Sequence, residues 1–384
     1  MKPLYRQAAP SVTMSLDQQA RELAAAGRDV INLTAGQVDL PMPEGGKEAV
    51  RQALLADRTG YVPASGSPEV KAAVRARMGW TEGEVLISAG AKPLLNAAIA
   101  CLCGPGDEVL LPAPCYTSYP EMVRLAGGTP VIVPGEPDND FIASAAALAE
   151  HVTDRTKVLV LNNPVNPTGT VYSSEALGEI VRLCTARDLY LVVDEVYHAF
   201  VYEGTFTSLY SFPEVRERLI LVNSASKTFA MAGLRLGYCV APAPVAKAMS
   251  GYLSHALGCP GSLSEQAALA ALRLDGSYEK ALRDVFRERR DRLWAALASE
   301  SAWTVKKNAG AFYLWLDIHG ADDVAFCKSL LDREGVALTP GSAFGCPGCV
   351  RLAYTKDMDR LLEAAARMKR FAAGPYSSSS GIRS

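Results

Sequence analysis

The sequence has no excess of charge of either sign, no long apolar run and no apolar leader. Its 384 residues include 39 Lys+Arg and 41 Asp+Glu, a net charge of −2, so charge gives no reason to expect a nucleic acid or another polyanion as partner. No apolar run approaches the roughly 18–20 residues of a membrane helix, and the first six residues lack the apolar core of a signal peptide. We therefore expect a cytoplasmic protein with neither a membrane nor a nucleic-acid partner.

Histidine is scarce, and the cysteines follow no metal-binding pattern. The four histidines share no motif spacing, so neither a hydrolytic triad nor a metal site is expected. Nine cysteines cannot all pair, and free thiols in a reducing compartment explain them. Cys346 and Cys349 have the CxxC spacing, but a zinc site needs a second pair or nearby histidines. We interpret this segment as a loop with two incidental cysteines.

What the sequence does have is an alternation of short apolar runs and helical stretches from Glu84 onward. Continuous apolar strands separated by helices predict a mostly parallel sheet covered on both faces, hence an α/β protein. The predicted strands are 85–88, 108–111, 129–133, 157–161, 190–193 and 219–223, and the predicted helices are 93–103, 118–126 and 175–187.

A second, smaller α+β unit is predicted after Gly276, where the pattern changes. A long charged helix comes first, followed by strand 312–316, helix 324–334, strand 350–353 and helix 358–371. The residues 374–384, with four consecutive serines, are predicted to be a disordered tail or a non-native remnant. The buried face of the charged helix is predicted to consist of Ala281, Leu282, Val285, Phe286, Leu293 and Leu297.

Candidate functional residues follow the strands, because ligands of parallel sheets bind at the carboxyl ends of the strands. The turn before helix 93–103 contains small residues and offers free N–H groups, although it is neither a P-loop nor a dinucleotide fingerprint. Asp194 ends an apolar run, where a carboxylate is costly unless paired. Lys227 follows another strand and is either a solvated loop residue or a Schiff-base lysine. Asp194 and Glu195 are not expected to act on one bond, since adjacent strand residues point to opposite faces.

Ten short motifs follow one another along the chain: LTAGQVDLP, YVPASGSPE, SAGAK, PGDEVLLPAPCYTSYPEM, NNPVNPTG, VVDEVY, SASKTFAMAGLRLGY, GAFYLW, PGSAFG and VRLAY. In combination and in this order they resemble the class I/II aminotransferases, which are pyridoxal-phosphate (PLP) enzymes of fold type I. The resemblance extends from about residue 11 to 370, and the chain is most similar to the aspartate/prephenate subgroup. It implies a large PLP-binding domain (45–275) with a mostly parallel seven-stranded sheet, and a small domain formed by 1–44 and 276–373.

The resemblance implies PLP as the cofactor and assigns roles around its ring. Lys227 would hold the cofactor through its amine and move the substrate Cα proton. Asp194 would face the pyridine nitrogen and keep it protonated. Tyr197 and Asn166 would bind the phenolic oxygen of the ring, and Tyr116 would stack on its face. The groups implied for the phosphate are Gly90, Ala91, Lys92, Ser224 and Arg235, with Ser226 as a further donor.

The resemblance also implies how substrate and subunit partner are bound. Arg351 would clamp the substrate α-carboxylate with its planar guanidinium, and Gly36 and Asn166 would lie at the same carboxylate. Tyr61 matches a residue that relatives donate to the neighbouring subunit. The chain is therefore expected to form a homodimer with shared active sites.

The substrate expectation depends on how the family recognises a distal carboxylate. One subgroup uses an arginine after the PLP lysine, but residues 255–262 contain none. Another uses a lysine in the SAGAK-type turn and a threonine in an N-terminal PSxT segment, which match Lys92 and Thr13. The expected substrates are thus aspartate, or a similar acidic amino acid, and a 2-oxo acid such as 2-oxoglutarate, used in a ping-pong mechanism.

Other activities on this scaffold stay open, since fold alone does not determine reaction type. The alternatives are an aminotransferase for aromatic or neutral amino acids and a PLP-dependent β-lyase. A non-catalytic regulator is disfavoured, because there is no room for a DNA-binding domain before Thr34. Among the cysteines, only Cys115, which is next to Tyr116, is expected to lie close enough to the implied cofactor for its reactivity to be of interest.

Overall fold

The computed structural model of the protein describes residues 12–374, with side chains from Leu16 onward. The Thr13 side chain and residues 375–384 of the expected tail lie outside the described residues. No helix in the described range is long and apolar enough to cross a membrane. The helices are α1 (Val12–Ala25), α2 (Glu44–Leu55), α3 (Pro68–Met78), α4 (Ala91–Leu102), α5 (Ser118–Ala126), α6 (Ala145–Glu150), α7 (Ser174–Ala186), α8 (Ala225–Thr228), α9 (Ala243–Ala256), α10 (Ser262–Leu272), α11 (Ser277–Leu297), α12 (Asp323–Glu334) and α13 (Met358–Ala373).

A seven-stranded sheet forms the centre of the molecule, with strand order β2-β8-β7-β6-β5-β3-β4. Only β8 runs opposite to the others, so the expected mostly parallel seven-stranded sheet is confirmed. The strands of this sheet are β2 (Glu84–Ser88), β3 (Glu108–Ala113), β4 (Thr129–Pro134), β5 (Thr156–Asn162), β6 (Tyr190–Asp194), β7 (Leu219–Ser224) and β8 (Gly237–Ala241).

Helices cover both faces of this sheet, which is why its strands are apolar throughout. Successive residues of β5 alternate between two cores: Leu159 and Leu161 pack on one face, Val158 and Val160 on the other. Helices α3, α7 and α10 contribute to the first core, and α4, α5 and α9 to the second. All six residues of β7 are buried. The sheet is thus packed on both faces, and its hydrogen-bonded strands bring their ends next to one another.

A smaller antiparallel sheet, with order β12-β13-β10-β9, packs with α11, α12 and α13 in a further core. Leu16, Ile31 and Leu33 from the N-terminal segment lie in this same core. The division into 45–275 and 1–44 with 276–373 stays a prediction. The strands outside the large sheet are β1 (Ile31–Asn32), β9 (Thr304–Val305), β10 (Tyr313–Asp317), β11 (Val336–Ala337), β12 (Thr339–Pro340) and β13 (Cys349–Ala353).

Helix α11 departs from the predicted apolar face. Leu282, Phe286, Leu293 and Leu297 are buried as expected, but Ala281 and Val285 are exposed. At 3.6 residues per turn Ala281 and Val285 fall outside the buried stripe, and Arg289 occupies the edge of the stripe next to them. The guanidinium of Arg289 is satisfied there by two bonds to the Asp39 carboxylate, at 2.6 and 3.0 Å. The prediction for Ala281 and Val285 was therefore wrong.

Candidate active site

One cavity of about 370 Å³ lies at the carboxyl ends of the central strands. Strands β5, β6 and β7 end there in Asn162, Asp194 and Ser224, and β13 contributes Arg351 from the smaller sheet. The predicted site residues that line it are Gly36, Ala91, Lys92, Tyr116, Asn166, Asp194, Tyr197, Ser224, Ser226, Lys227, Arg235 and Arg351.

Lys227 lies in the short helix α8, directly after β7. Its Nζ donates to the carbonyl oxygen of Gly36. Burial, together with the nearby charges of Arg351 and Arg235, lowers its pKa to about 8, and Asp194 opposes this change. A buried lysine near other cations is more readily deprotonated than a solvated one, which suits it to act as a nucleophile and a base.

Asp194 is a nearly buried carboxylate at the end of β6. Tyr119 Oη donates to Oδ2 at 2.9 Å, and the backbone N–H of Val196 donates to Oδ1 at 3.2 Å. Burial raises the pKa of Asp194 to about 6, while these two hydrogen bonds and the charge of Lys227 act in the opposite direction. An additional cation at this carboxylate would stabilise its ionised form.

The neighbouring Glu195 has a structural role, because its carboxyl group binds a backbone segment outside the cavity. It is completely buried, accepts bonds from Ser208 Oγ and the N–H of Leu209, and does not line the cavity. Burial raises its pKa to about 8. The two adjacent carboxyl groups thus have separate partners, as the alternation of strand residues predicts.

An anion-binding corner forms where α4 begins. Gly90 has φ +103°, and a Cβ there would lie 2.2 Å from Arg235 Nη2, so only glycine admits the guanidinium. Arg235 contacts neutral oxygens alone within the described chain: Ala232 O at 2.8 Å, Ala89 O at 3.4 Å and Ser226 Oγ at 3.5 Å. Its charge and the free N–H groups of the helix start are therefore available to a phosphate.

Ser224 supports this corner by linking two backbone segments. Its Oγ donates to Leu236 O at 2.9 Å and accepts from the N–H of Ser226 at 3.0 Å. Gly237 lets β8 approach the same turn, since a Cβ there would lie 2.3 Å from the carbonyl carbon of Gly90. Gly90 itself is not among the residues that line the cavity.

Arg351 is a buried guanidinium without an acidic partner. Its Nη1 donates to Asn166 Oδ1 at 2.9 Å, and its Nη2 contacts Thr34 O and Thr339 Oγ1. Its Nε has no partner among the described residues. A buried charge that is not paired with an opposite charge is costly. The arrangement therefore favours a ligand that carries a carboxylate.

Aromatic groups complete the wall next to this guanidinium. The Arg351 guanidinium carbon lies 4.5 Å from the ring centroid of Tyr313, whose Oη is 2.8 Å from Tyr197 Oη. Burial raises the pKa of Tyr197 well above its usual value. A Cβ at Gly36 would lie 2.0 Å from Tyr313 Oη, so glycine is required there. Tyr116 faces the cavity, with Lys92 Nζ at 5.3 Å from its ring centroid.

Three predicted residues behave differently from the rest. Tyr61 is fully exposed and does not line the cavity of its own chain, and the Thr13 side chain is not described. Cys115 is adjacent to Tyr116 in sequence but is buried, and burial raises its pKa to about 12. A thiol with so high a pKa is inert, so the interest in its reactivity is not supported.

Sequence reasoning missed several residues that line the cavity. Tyr119 lies in the first turn of α5, and its ring packs edge-to-face against that of Tyr116, with the centroids 5.4 Å apart. Tyr313 lies within GAFYLW, and Asn162 is the first residue of NNPVNPTG. Thr34 and Phe344 lie within LTAGQVDLP and PGSAFG, but their place next to Arg351 follows only from the fold. The lining residues that were missed include Thr34, Tyr119, Asn162, Tyr313 and Phe344.

The chemistry of the cavity fits the cofactor that the resemblance implies. A lysine of lowered pKa suits the aldehyde of PLP, a buried carboxylate suits a protonated pyridine nitrogen, and the Arg235 corner suits a phosphate. The fit rests on groups with unmet charge: Arg235 has only neutral partners, and Arg351 retains a buried Nε without a partner in the described range.

Comparisons with known proteins agree with this chemistry. The family model "Aminotransferase class I and II" matches residues 28–368. The "Probable aspartate/prephenate aminotransferase" of Aquifex aeolicus is 37% identical over 376 residues, covering 94% of this chain and 95% of the relative. The "Aspartate aminotransferase" of Geobacillus stearothermophilus is 36% identical, covering 94% and 96%.

Solved structures match over nearly the whole chain as well. An aspartate aminotransferase from Thermus thermophilus with maleate has a TM-score of 0.92 at 36% identity, covering 96% of this chain and 99% of that one. An aspartate aminotransferase from Thermotoga maritima has a TM-score of 0.93 at 36% identity, covering 97% and 100%.

Proposed function

Since the chain belongs to the class I and II aminotransferases, and is thus a PLP-dependent aminotransferase, we propose that its amino donor is aspartate or a similar acidic amino acid. The acceptor is a 2-oxo acid such as 2-oxoglutarate. The observation that carries the proposal is the buried, anion-free guanidinium of Arg351 in the cavity that also contains Lys227. The aspartate-specific names of the relatives support the choice of donor.

Substrate binding is assigned to the smaller sheet and the N-terminal segment. The α-carboxylate accepts two parallel bonds from Arg351, and Asn166 and the backbone at Gly36 border it. The exposed amine of Lys92 at the cavity wall attracts a second, distal carboxylate. Thr13 is assigned to the same carboxylate on the resemblance alone.

The bound cofactor supplies an electron sink for the negative charge that develops at the substrate Cα. The Lys227 amine, whose pKa is lowered to about 8, is neutral more often than an ordinary lysine, and in this form it removes the Cα proton and returns it during transfer. The Asp194 carboxylate, held by Tyr119 and Val196, retains a proton on the pyridine nitrogen. Tyr197 and Asn166, which line the cavity, would bind the phenolic oxygen of the cofactor, and the Tyr116 ring would stack on the cofactor ring.

The phosphate group is assigned to the corner at the start of α4. Its ligands are the backbone N–H groups and hydroxyls there and the Arg235 guanidinium, whose partners are otherwise neutral. The residues of this corner would bind the phosphate and take no part in the transfer of the amino group. The phosphate residues proposed are Gly90, Ala91, Lys92, Ser224, Ser226 and Arg235.

We infer a homodimer in which the subunits share active sites. Tyr61 is fully exposed and makes no part of the cavity of its own chain, which suits a residue given to a neighbour. Leu125, Tyr252 and Leu257 are also exposed and line one apolar groove. Burial of such side chains against a second copy would remove apolar surface from water.

The test of the donor is a single half-reaction. Holoenzyme mixed with aspartate and no oxo acid is expected to change its visible spectrum once and to release one equivalent of oxaloacetate per site. The β-lyase alternative is tested with cysteine, whose thiol can leave from Cβ: continuous release of pyruvate, ammonia and sulfide would identify a β-lyase. A panel with alanine and phenylalanine then ranks the donors.

The same panel applied to Lys92→Ala tests the acidic preference. The substitution keeps the backbone N–H at the start of α4 and removes only the side-chain cation. We expect kcat/KM to fall more for aspartate than for alanine or phenylalanine, since only aspartate carries the second carboxylate. Equal losses for all three donors would show that Lys92 serves the cofactor or the fold alone.

A further inference from the structure

Cys346 and Cys349 form a close pair that the proposed reaction does not use. Their Sγ atoms are 3.9 Å apart. Pro347 and Gly348 lie between them, and Gly348 has φ +81°, the pattern of a type II turn. Such a turn brings its first and last Cα atoms within about 7 Å, close to the separation that a disulfide spans. The two thiols are therefore placed for bond formation with a small movement.

This pair is connected to the substrate-binding wall. Cys349 begins β13 and lies two residues before Arg351, so both side chains are on one face of the strand. Cys349 packs with Trp315 and Phe344 in one buried cluster. The Phe344 ring in turn lines the cavity, with its centroid 4.8 Å from the Arg351 guanidinium carbon.

The turn is also held tightly against the segment that carries Phe344. A Cβ at Gly341 would lie 2.4 Å from Cys346 O and 2.7 Å from Cys349 O, and the N–H of Cys346 donates to Gly341 O at 3.0 Å. Gly341 begins the short 3₁₀-helix that ends at Phe344. A displacement of either cysteine is therefore transmitted to Phe344.

The two thiols differ in the way that an attacking and a resolving cysteine differ. Cys346 is half-buried, whereas Cys349 is buried. The hydrogen bond between the sulfurs lowers the pKa of Cys346 and raises that of Cys349. Burial raises the pKa of Cys184 and Cys239 to about 12, so these thiols are inert by comparison. No group of three or more metal-ligating side chains occurs in the described chain, which disfavours a metal site here.

We propose that Cys346 and Cys349 are a redox-sensitive pair whose disulfide weakens the binding of substrate carboxylates at Arg351. The oxidant is a low-molecular-weight disulfide of the glutathione type. The Cys346 thiolate attacks one sulfur of it, forming a mixed disulfide and releasing one thiol. Cys349, losing its proton, then attacks Cys346 Sγ and releases the second thiol. The protein dithiol is thereby oxidised by two electrons and the external disulfide is reduced to two thiols.

Closing the bond changes the geometry near Arg351. The sulfurs must approach from 3.9 Å to the length of an S–S bond, about 2.05 Å. The movement displaces Cys349 on β13 or the turn packed against Gly341, and both contact the Phe344 cluster. A bidentate grip depends on alignment, and small displacements of a binding group reduce catalysis strongly.

The first measurement follows the thiols and is independent of catalysis. Holoenzyme is incubated with oxidised glutathione, quenched in acid, alkylated and digested. We expect the peptide that contains both cysteines to lose two hydrogens and to resist alkylation, reversibly with dithiothreitol. Cys349→Ser should instead retain glutathione on Cys346, and Cys346→Ser should form neither product. Cys259→Ser, a half-buried cysteine elsewhere, serves as the control and should behave as the parent.

Full alkylation of both cysteines after oxidation, or no adduct on Cys346 in Cys349→Ser, would overturn the proposal.

The second measurement is the KM of the amino and oxo acids, and it rests on the proposed function. Oxidation is expected to raise both values several-fold and by the same factor, because both substrates carry the α-carboxylate, and Cys346→Ser should prevent this. Unchanged KM values in fully oxidised enzyme would refute the link to Arg351. An enzyme inactive even when reduced would refute the proposed function while leaving the disulfide result valid.

Discussion

At the scale of single residues, the cavity is defined by positive charges that lack a neighbouring acid. Arg351 and Arg235 contact neutral oxygens only within the described chain, and together they help to lower the pKa of Lys227. Asp194 is the carboxylate in the cavity nearest to this lysine and already has two hydrogen-bond donors. The excess of positive charge therefore selects ligands with a carboxylate and a phosphate. The same charges favour the neutral form of the Lys227 amine, since they lower its pKa.

The substitution Arg351→Lys tests this charge directly. Lysine keeps the charge but loses the planar pair of donors, so the bidentate bond to the α-carboxylate is lost. A hydrogen bond to a charged group contributes about 1.5–3 kcal/mol, so we expect kcat/KM for both substrates to fall roughly ten- to hundredfold. Steady-state kinetics with aspartate and with the oxo acid measure the two losses.

A second buried arginine provides the control for that experiment. Arg290 is buried, contacts Asn308 O and Glu203, and lies outside the cavity. Arg290→Lys should reduce stability and leave both KM values unchanged. Similar kinetic losses in the two variants would mean that Arg351 acts through the fold and not through the substrate.

Glu195 gives a pH-dependent prediction about stability. Its pKa is about 8 in the folded protein against an ordinary value of 4.5, so between these values the folded state binds a proton that the unfolded state releases. The contribution of Glu195 to the free energy of unfolding is thus fully present below about pH 4.5. As the pH rises toward 8, this contribution decreases by about 1.4 kcal/mol per pH unit. Glu195→Gln, which resembles the protonated acid, should gain on the parent protein over this range in urea unfolding.

The matched control is Glu108→Gln. Hydrogen bonds from Thr153 and Arg155 lower the pKa of Glu108, so it is ionised in both states above pH 5 and its contribution should not change with pH there. A constant difference between parent and Glu195→Gln from pH 5 to 8 would contradict a protonated Glu195.

At the scale of elements, the helices and strands that could be predicted from the sequence are those with a uniform hydrophobic pattern. Strands β2 to β7 and helices α4, α5 and α7 are continuous apolar runs or clear amphipathic stretches, and each was located to within a few residues. Strand β8 was missed, since its five residues follow directly on the loop of the PLP-lysine motif. In α11, Arg289 occupies a buried position because Asp39, 250 residues away, pairs with it. No local pattern contains that partner.

The start of α4 is the element whose geometry is most sensitive to one atom. A Cβ in Gly90→Ala would lie 2.2 Å from Arg235 Nη2 and would also occupy a backbone with φ +103°. We expect the guanidinium to be displaced and the affinity for PLP to fall, measured by titration of apoenzyme with PLP and cofactor fluorescence.

Gly106→Ala separates the two causes. Gly106 has φ +93°, and no heavy atom lies within 4 Å of the added Cβ. The alanine variant therefore suffers only the backbone strain of a positive φ, about 1–2 kcal/mol, and no steric clash. Its thermal stability should fall while its affinity for PLP stays unchanged. Equal affinity for PLP in Gly90→Ala and the parent would refute the role of this corner as the phosphate site.

At the scale of the whole molecule, the site depends on contacts between distant parts of the chain. Arg351 contacts Thr34 O across 317 residues and Asn166 across 185. The motifs alone indicated Arg351 and Asn166 as members of one site. Their mutual bond and the role of the Thr34 carbonyl required the fold, because a hydrogen bond between groups so distant in sequence leaves no local pattern.

The proposed dimer is tested by combining two inactive variants. Tyr61 is fully exposed on its own chain, so in a shared site Tyr61→Phe damages the neighbour's cavity, whereas Lys227→Ala damages its own. In a mixed dimer, the site that keeps Lys227 receives an intact Tyr61 from the other subunit, and the second site has neither. We expect the two variants, unfolded and refolded together, to recover PLP affinity and activity that neither has alone, up to one good site per mixed dimer. Analytical ultracentrifugation should show a dimer throughout. If both residues served the same chain's cavity, each mixed dimer would contain two damaged sites and mixing would restore nothing.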